Sequence, residues 1–416
     1  MMIPLISRLP LLAGLLLIAI CGALATPVVE AKTWALKGGT IHPVEGEPIA
    51  AGTILFDESG ILAMGVGVEI PADATVVDTS GKQIYPGLIA AHSQIGLIEI
   101  PAVRATVDTA EAGRFNPNAA AHKAFNPDSE VIPVTRSNGV LVALVAPSGG
   151  LLSGQASLMR LSGWTWEEML LEPSVGLVTN WPSARRSTEG LTELKTLFDQ
   201  ARAYLATRAA SPETTPIDLR LEAMKPILDG ERPLLVAADG LAEIEAAVAF
   251  ATWQQVKLVI LGGYDAPLCA PLLKEHDVPV IVSSIHRLTR RRNDPYDAPY
   301  TLPERLRAAG LSYCIAGDGR FASNVRNLPY HAATAVAYGL PADEALKAIT
   351  LYPAQIFGVD DRVGSLKVGK EATLFVTDGD PLETPTQILD AYVAGKPVEL
   401  SDRHKELYEK FRQRIE

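Results

Sequence analysis

The sequence predicts an α/β protein, a (β/α)8 TIM-like barrel with a flanking β-sandwich built from both ends of the chain. Near-continuous apolar runs alternate with helical patterns through the middle of the chain, which is typical of a parallel sheet covered on its faces. Short strand patterns between Gly and Asp turns occur near both ends, and neither group alone is long enough to bury a core. We therefore expect the sandwich at residues 32–82 and 360–400, and the barrel at residues 83–359.

The first 25 residues have the order of a secretory signal. Arg8 is the single charge before the apolar run Leu9–Ala25, and two small-residue cleavage patterns, at 23–25 and 29–31, follow. The alternative is an uncleaved anchor, but the run is slightly short for the roughly 20 residues that span a membrane. We expect residues 1–25 to be a signal peptide and the protein to be exported, to a bacterial periplasm.

Strand and helix patterns assign the remaining elements in order. The sandwich strands are expected at Thr33–Lys37, Thr53–Phe56, Ala372–Val376 and Ile388–Val393. The barrel strands are expected at Ile84–Ile89, Gly139–Val145, Ala156–Leu161, Val175–Thr179, Leu234–Ala238, Lys257–Leu261, Val278–Ser283 and Leu311–Ala316. Helical patterns include Leu191–Ala209, Leu241–Trp253 and a charged peripheral helix within residues 401–416. The run Ala156–Leu161 also fits one arm of a hairpin, which leaves the strand count open.

Composition excludes several classes of protein. Of the 416 residues, 48% are hydrophobic and 20% are charged, which excludes a disordered or collagen-like chain. The 37 Lys and Arg against 48 Asp and Glu give a net charge of −11, which argues against general nucleic-acid binding. Three cysteines cannot form a disulfide framework. Cys269 and Cys314, which would remain after cleavage, are expected as buried thiols, with one structural disulfide as the alternative.

Polar side chains stand where the first and last barrel strands end. His92 and Gln94 follow the apolar run Ile84–Ala91, and alternate side chains of a strand share a face, so both can point at one centre. Asp318 follows the run Leu311–Ala316 after one glycine. Because the chemistry of such barrels sits at the carboxyl ends of the strands, these residues are the first candidates for a functional site.

A known family is recognisable at these residues. The segment Tyr85–Gln94, Y-P-G-L-I-A-A-H-S-Q, resembles the first metal motif of the amidohydrolase superfamily, P-G-x-I-D-x-H-x-H. Segments 327–340, 345–359, 364–374 and 378–381 resemble that family's final barrel helices and the return to its sandwich. The subgroup it resembles most is imidazolonepropionase-like, and the resemblance covers essentially the whole mature chain.

The resemblance implies a metal-dependent hydrolase. An active member holds one or two divalent metals with two histidines of the first strand, a Lys, Glu or His of a middle strand, two further histidines and a final aspartate. Zinc or a similar ion lowers the pKa of bound water to about 7. The aspartate takes the proton of that water and passes it to the leaving nitrogen. The implied reaction is hydrolysis of a non-peptide C–N bond in a small amide or amino-acid derivative, with Asp318 at the position of the catalytic aspartate.

Position by position, most of that ligand set is missing. His92 matches the first histidine, but Gln94 stands where the second belongs. The strand run that ends at Asp239 and the segment Leu261–Gly263 offer no histidine, and Val178 or its neighbours fall near the bridging position without a metal ligand.

The candidate metal ligands are therefore His92, Gln94, Asp239 and Asp318. Such an oxygen-rich set, completed by waters, suits a harder ion than zinc. The cofactor expected from the sequence is a divalent metal, zinc or similar, or no cofactor at all.

Each candidate also has a purely structural interpretation. Asp239 is placed to cap the helix Leu241–Trp253, and His92 can be hydrogen-bonded in an inherited, empty pocket. His122 and His286 follow strand-like segments and can turn inward, or they are surface loop residues. The basic run Arg287–Arg292 can bind an acidic substrate or partner, or it is a solvated loop.

Three functions remain open from the sequence. The first is an exported amidohydrolase with a remodelled site. The second is a catalytically inactive subunit or regulator of an active homologous amidohydrolase. The third is a small-molecule binding protein. The expected partners are accordingly a small-molecule substrate or ligand, a homologous amidohydrolase subunit or a second copy of the chain, and not nucleic acid.

Overall fold

The structure is a computed structural model that describes residues 32–182, 189–319 and 321–414. The predicted signal peptide, residues 1–25, lies outside these residues. Strands β1 to β16 are, in chain order, Trp34–Ile41, Ile49–Asp57, Gly60–Gly65, Thr75–Asp78, Gln83–Pro86, Leu88–Ser93, Val140–Val145, Leu152–Arg160, Leu170–Asn180, Leu234–Ala238, Leu258–Gly262, Val280–Val282, Tyr313–Ile315, Leu374–Thr377, Ile388–Val393 and Lys396–Val398. Helices α1 to α13 are Ala121–Ala124, Val131–Arg136, Trp166–Met169, Glu189–Ala210, Leu219–Glu222, Lys225–Leu228, Leu241–Gln254, Ala270–Glu275, Leu302–Ala308, Leu328–Ala337, Ala342–Lys347, Leu351–Phe357 and Arg403–Arg412.

Strands from two distant parts of the chain form one sheet. Its order is β16-β15-β14-β5-β1-β2-β3, and β4 also pairs with β1. The central pair, β14 with β5, is antiparallel and brings Leu374 opposite Pro86. Alternate residues of these strands, among them Leu36, Phe56 and Tyr392, pack into one buried cluster. The flanking β-structure predicted from both ends of the chain is confirmed, as an eight-stranded sheet.

Strands β6 to β13 form the barrel, paired in chain order. The sheet nearly closes on itself, because the segment Ala348–Ile349 lies between its first and last strands: Ile315 N–H donates to the carbonyl of Ala348 at 2.9 Å and Ile89 N–H to that of Ile349 at 2.8 Å. A cluster with residues from all eight strands, such as Ile89, Val142, Leu235 and Cys314, fills the inside. The helices pack outside, so the predicted TIM-like barrel is confirmed.

One strand differs from the regular (β/α)8 pattern. The run Ala156–Leu161 belongs to β8, which is antiparallel to both β7 and β9. Only residues 146–151 join β7 to β8, and a connection of this length reverses the chain, whereas a parallel crossover needs a dozen residues or more. The hairpin alternative noted from the sequence is therefore correct for this run.

The glycine of the Pro-Gly motif lies where the chain passes from the sheet into the barrel. Gly87 joins β5 to β6, and its N–H donates to the carbonyl of Thr373 at 2.9 Å. A Cβ atom at this position would lie 2.9 Å from side-chain atoms of Leu141 and Thr373. Glycine therefore allows the two sheets to approach closely at the start of the strand that carries His92.

Other expectations concern the periphery and the thiols. Cys269 and Cys314 are buried and free, as predicted. Helix α13 (Arg403–Arg412) has no buried residue, which agrees with the predicted peripheral helix. Within the described ranges, none of the helices has the length and apolar character needed to cross a membrane.

Candidate functional site

The carboxyl ends of β13 and β6 meet at the mouth of the barrel. The N–H of Gln94 donates to the carbonyl of Gly319 at 3.2 Å. A Cβ atom at Gly319 would lie only 1.8 Å from the carbonyl oxygen of His92. Asp318 precedes this glycine, and its Oδ2 accepts a hydrogen bond from Asn324 Nδ2 at 3.5 Å. The structure therefore brings together the backbone of three sequence-predicted site residues, His92, Gln94 and Asp318.

A bulge in β6 sets the direction of His92. Ala90 pairs with Ala143 and Ser93 with Val145, so three steps along β6 match two steps along β7. Ala143 and Val145 pack in the cluster that the outer helices share. Because paired residues face the same side of a sheet, Ser93 also faces outward, and its neighbour His92 faces the inside of the barrel.

Two histidines and Asp318 form a group that we call the histidine cluster: Asp318, His286 and His331. The rings of His286, after β12, and His331, on α10, stack with their centroids 4.0 Å apart and an interplanar angle of 25°. His331 is only 2% exposed. Its ring lies beside the loop of Asp318, since its Cδ2 would be 3.4 Å from a Cβ atom at Gly317.

Hydrogen bonds indicate the tautomer of each ring. The N–H of Ile285 donates to His331 Nδ1 at 3.3 Å, so Nδ1 is an acceptor and Nε2 carries the proton. The hydroxyl of Thr334 donates to the carbonyl of Tyr330 at 2.9 Å. His286 Nε2 lies 2.7 Å from the same hydroxyl oxygen and must be the donor, which leaves Nδ1 of His286 without a proton.

Burial keeps His331 neutral. Desolvation, and then the neighbouring His286, lower the pKa of His331 to about 3, although the charge of Asp318 acts in the opposite direction. Partial desolvation of its ring also lowers the pKa of His286, although the residue as a whole is exposed. At neutral pH the cluster therefore presents two neutral imidazoles beside the side chain of Asp318.

We expect His331 to make the folded protein acid-sensitive. The unfolded chain takes up a proton near the ordinary histidine pKa of about 6.5, and the folded chain does so only near 3. Acid therefore favours unfolding, and between pH 7 and pH 5 the free energy of unfolding should fall by about 2 kcal/mol through this residue. Urea unfolding at the two pH values measures this loss, which His331→Gln should remove. The exposed-site variant His404→Gln should retain it; an unchanged pH dependence in His331→Gln would contradict the assignment.

Asp239 is held by arginines that lie far away in the sequence. Its Oδ2 is 3.0 Å from Arg287 Nη1 and 3.6 Å from Arg290 Nη1. Its Oδ1 accepts the N–H of Tyr264 at 3.3 Å. Asp239 does not cap the helix after β10: the first free N–H there, on Leu241, donates to Asp265 instead, at 3.1 Å. The capping interpretation is therefore corrected, and the carboxylate is already neutralised by two permanent cations.

A third arginine of the same loop is paired just as firmly. Arg291 binds Asp265 through two N–H···O bonds, one of them 3.0 Å long from Nη1 to Oδ1. Burial alone would raise the pKa of Asp265, but the hydrogen bonds from Arg291 and Leu241 hold it below its usual value. The basic run predicted as a solvated loop or anion site therefore folds over the ends of β10 and β11. We call Arg287, Arg290 and Arg291 the arginine cluster.

Asn180 ends β9, two residues after Val178. Its amide nitrogen donates to the carbonyls of Gly149 and Gly150, at 3.2 and 3.0 Å, and to Ser153 Oγ at 3.1 Å. All of these partners lie in the turn before β8 or in the first residues of β8. Asn180 thus anchors a loop at the mouth of the barrel.

His122 lies outside the group at the mouth. It is buried, on α1, and its Nδ1 lies 2.9 Å from Ser157 Oγ. That hydroxyl donates to the carbonyl of Pro173 at 2.8 Å. Its expected position as a surface loop residue is wrong, because the ring packs against Trp166 with centroids 5.3 Å apart and satisfies a buried hydroxyl. His286 is exposed, as a surface residue would be, yet it joins the histidine cluster.

The residues at the mouth do not fit the metal centre that the fold family implies. Across the described ranges, no three His, Cys, Asp or Glu side chains are arranged to hold a metal ion. Gln94 replaces a histidine, and Asp239 is occupied by guanidinium groups that would repel a cation. His92 and Asp318 remain the two side chains best placed to contribute to an ion, fewer than zinc requires.

A large cavity lies at the opposite end of the barrel. It measures about 800 Å³ and is formed where β10 to β13 begin, between residues such as Arg232, Lys257, His276 and Gln355. Much of its wall consists of exposed polar side chains at helix ends. In barrels of this kind the amino ends of the strands serve stability, so we place the candidate site at the mouth.

Comparison with known proteins agrees with this architecture. The sequence profile of the amidohydrolase family matches residues 265–399. The amidohydrolase tasK of Hapsidospora irregularis is 24% identical over 383 residues, which cover 81% of this chain and 39% of that protein. The chain therefore spans well under half the length of this relative.

Solved structures show the same fold. An amidohydrolase from Thermotoga maritima superposes with a TM-score of 0.80 at 25% identity, over 88% of this chain and 99% of the other. The ochratoxinase of A. niger has a TM-score of 0.56 at 15% identity, over 88% and 96% of the two chains, and shows the fold alone. The chain shares the barrel and the flanking sheet of the solved amidohydrolase from Thermotoga maritima. The chain is similar in sequence and in fold to members of the amidohydrolase superfamily.

Sequence reasoning missed two residues of the mouth. His331 is a single histidine within the apolar helix L-P-Y-H-A-A-T-A-V-A. A lone histidine among apolar residues was the one sequence feature that could have indicated a buried polar side chain here. Asn180 is the polar residue that ends the apolar run of β9, at the position where a ligand would be sought. The pairing of Asp239 with Arg287 carried no local signal, because 48 residues separate them.

Proposed function

We propose that this chain is an amidohydrolase-family protein that has lost metal-dependent hydrolysis and acts as a subunit or regulator of an active homologue. The observation that carries the proposal is the pairing of Asp239 with Arg287 and Arg290, at 3.0 and 3.6 Å. Two guanidinium groups at the strand that should supply a metal ligand disfavour any divalent cation there by direct charge repulsion.

The neighbouring positions support the same conclusion. Gln94 offers a neutral amide where a histidine would donate an electron pair, and Asn180 uses its amide to hold the loop Gly149–Ser153. His331 is buried and neutral, with Nδ1 already engaged by a backbone N–H. The ancestral reaction, hydrolysis of a non-peptide C–N bond in a small amide or amino-acid derivative, thus lacks its usual ligand set on this chain.

The length of the relative tasK favours a partner. This chain corresponds to 39% of tasK, so in that protein the matched region is joined to further sequence. A homologous chain encoded separately would supply an equivalent neighbour. A small-molecule binding protein is the remaining alternative, and it predicts saturable ligand binding without an associated homologue.

Metal analysis tests the proposal. The protein should be purified without chelators, its zinc, manganese and iron should be measured, and its hydrolysis of N-acyl amino acids should be assayed. We expect well below one metal ion per chain, no hydrolysis, and co-purification with a co-expressed homologue that carries the full histidine motif. A stoichiometric ion that is lost in His92→Ala and kept in His276→Ala, a control at an exposed histidine far from the mouth, would overturn it.

Two further proposals rest on the sequence alone. The imidazolonepropionase-like subgroup is supported by the motif segments Tyr85–Gln94 and 364–374. Export to the periplasm is supported by the charge at Arg8 followed by the apolar run Leu9–Ala25. Fractionation of cells that express the chain with and without residues 1–25 tests export: the full chain should be periplasmic, and equal cytoplasmic retention of both would refute it.

A further inference from the structure

We propose that the C-terminal helix, α13 (Arg403–Arg412), docks the protein on a phospholipid bilayer that carries anionic headgroups. The observation that carries the proposal is an exposed apolar stripe with basic side chains along both of its edges. It is independent of what the mouth of the barrel binds, because it rests on one helix and on the face that this helix leaves uncovered.

The first step is the apolar stripe. Phe411 follows Leu407 by four positions and Tyr408 by three, so the three side chains share one face of the helix. The helix has no buried residue, and the exposed fraction is 62% for Tyr408 and 47% for Phe411. A surface helix of a soluble protein ordinarily turns its apolar stripe toward the core. The stripe of α13 is therefore left for a partner outside the chain.

The second step is the side of the helix that faces the protein. Asp402, the residue before the helix, is buried. Arg403 and Glu406 line a groove of about 420 Å³ together with residues of α2 and of the turn before α3, which contains Trp164. At about 100° per residue, Glu406 stands about 140° around the helix axis from Phe411. The polar side of α13 thus faces the protein, and the apolar stripe is turned away from it.

The third step is the distribution of charge. Residues 403–414 contain five Lys and Arg against two Glu, a net charge of +3 in a chain whose total is −11. At about 100° per residue, basic side chains fall on both edges of the stripe: Lys410 and Arg414 on one, Lys405 and Arg412 on the other. Arg412 pairs with Glu409 at 3.0 Å, but an exposed pair of this kind contributes little in water.

This arrangement is typical of helices that lie in the interface of an anionic membrane. The apolar side chains enter the boundary between headgroups and acyl chains. The long stems of Lys and Arg lie along that apolar surface, while their charged ends reach the headgroups. Since the two glutamates, Glu406 and Glu409, fall on the opposite side of the helix, they would stay away from the negative surface.

The fourth step is the choice between a bilayer and a protein. A helix that binds in the groove of a protein uses apolar anchors at positions i, i+3, i+4 and i+7. In α13 the first of these positions is His404, a polar residue, so only three anchors remain. Trp164 is 85% exposed and borders the same groove as Arg403 and Glu406. Trp and Tyr rings are enriched at the level of lipid headgroups. These observations favour the bilayer.

Two kinds of vesicle test the proposal. The chain without residues 1–25 keeps every described residue, and it excludes insertion of the apolar run Leu9–Ala25. Its co-sedimentation is measured with vesicles of phosphatidylglycerol and phosphatidylcholine in equal parts, and with vesicles of phosphatidylcholine alone. We expect at least about tenfold tighter binding to the anionic vesicles, because each basic side chain near such a surface adds to the affinity. High salt should weaken this binding.

Variants of the apolar stripe show which face binds. Tyr408→Ser combined with Phe411→Ser should weaken binding to the anionic vesicles at least about tenfold, because both rings lose their apolar contact. Tyr296→Ser, at a tyrosine of the loop after β12 that is 76% exposed, is the matched control and should stay within about twofold of wild type. Both stripe residues are exposed, so circular dichroism and Tm should not change.

Variants of the charge test the class of lipid. Lys410→Gln combined with Arg414→Gln should weaken binding to the anionic vesicles at least about tenfold and leave binding to phosphatidylcholine unchanged. Arg292→Gln, at an exposed arginine of the loop after β12, is the matched control.

Several results would overturn the proposal. They are absence of binding to the anionic vesicles, equal binding to both kinds of vesicle, and full binding in the variant Tyr408→Ser with Phe411→Ser. If the wild-type chain binds no vesicles but that variant loses association with a co-expressed homologue, the stripe is a protein interface instead.

Discussion

Replacing Gly319 with alanine is expected to lower the free energy of unfolding by about 3 kcal/mol, because the new methyl group has no space. A Cβ atom there would lie 1.8 Å from the carbonyl oxygen of His92 and 2.9 Å from the Cα of Ser93. Both contacts are with backbone, so no side chain can rotate away. The loop after β13 would have to separate from β6, and the hydrogen bond from Gln94 N–H to the Gly319 carbonyl would break.

A glycine in open space provides the control. Gly358 ends α12 with a φ of +66°, and no atom would lie within 4 Å of a Cβ atom there. Gly358→Ala should therefore lower the free energy of unfolding by only about 1 kcal/mol, because the left-handed backbone conformation is the single source of strain there. Urea unfolding of the two variants measures the difference. Equal losses for Gly319→Ala and Gly358→Ala would show that the strand ends at the mouth can separate at little cost.

Breaking the pair between Arg160 and Glu371 should destabilise the protein by a similar amount. Arg160, at the end of β8, binds both carboxylate oxygens of Glu371, with Nη2 2.6 Å from Oε2 and Nε 3.0 Å from Oε1. The two side chains are 17% and 14% exposed. Arg160→Met leaves a mostly buried carboxylate without a counter-charge, for which we expect a loss of about 3 kcal/mol.

A double-mutant cycle separates the pair from its surroundings. Arg160→Met with Glu371→Leu removes both charges, and this double variant should recover most of the stability that either single variant loses. The free energies from denaturant unfolding then give a coupling energy. If the losses simply add, this pair does not join the barrel to the terminal sheet in the way its geometry indicates.

Local sequence patterns predicted most of the strands and helices, because the order of apolar and polar residues along the chain reflects which side chains are buried. The run Leu234–Ala238 is a strand with the predicted bounds, and Leu241–Trp253 is a helix one residue longer than predicted. The direction of β8 could not be read from Ala156–Leu161, since a fully buried strand has the same apolar pattern whether its neighbours are parallel or antiparallel. Only the short connection between β7 and β8 shows that β8 runs antiparallel to its neighbours.

The candidate site was less predictable because its contacts join distant residues. His92 and Asp318 stand at strand ends and were found by that position, and their backbones do meet. The partners of Asp239 lie in the loop after β12, and only the folded barrel brings Arg287 and Arg290 onto it. His331 sits on an outer helix, and nothing in its neighbouring residues indicates that its ring lies against His286 beside the loop of Asp318.

The sheet built from distant segments constrains how the chain can reach its native state. The pairing of Leu374 with Pro86 and the bond from Lys370 to Glu45 connect residues separated by nearly three hundred positions or more. A ribosome must therefore finish β14 before β5 gains its second partner beside β1, and until then one edge of the early strands stays unpaired. High contact order of this kind slows folding and prolongs exposure to aggregation, so we infer that newly made chains depend on chaperones until the final strands emerge.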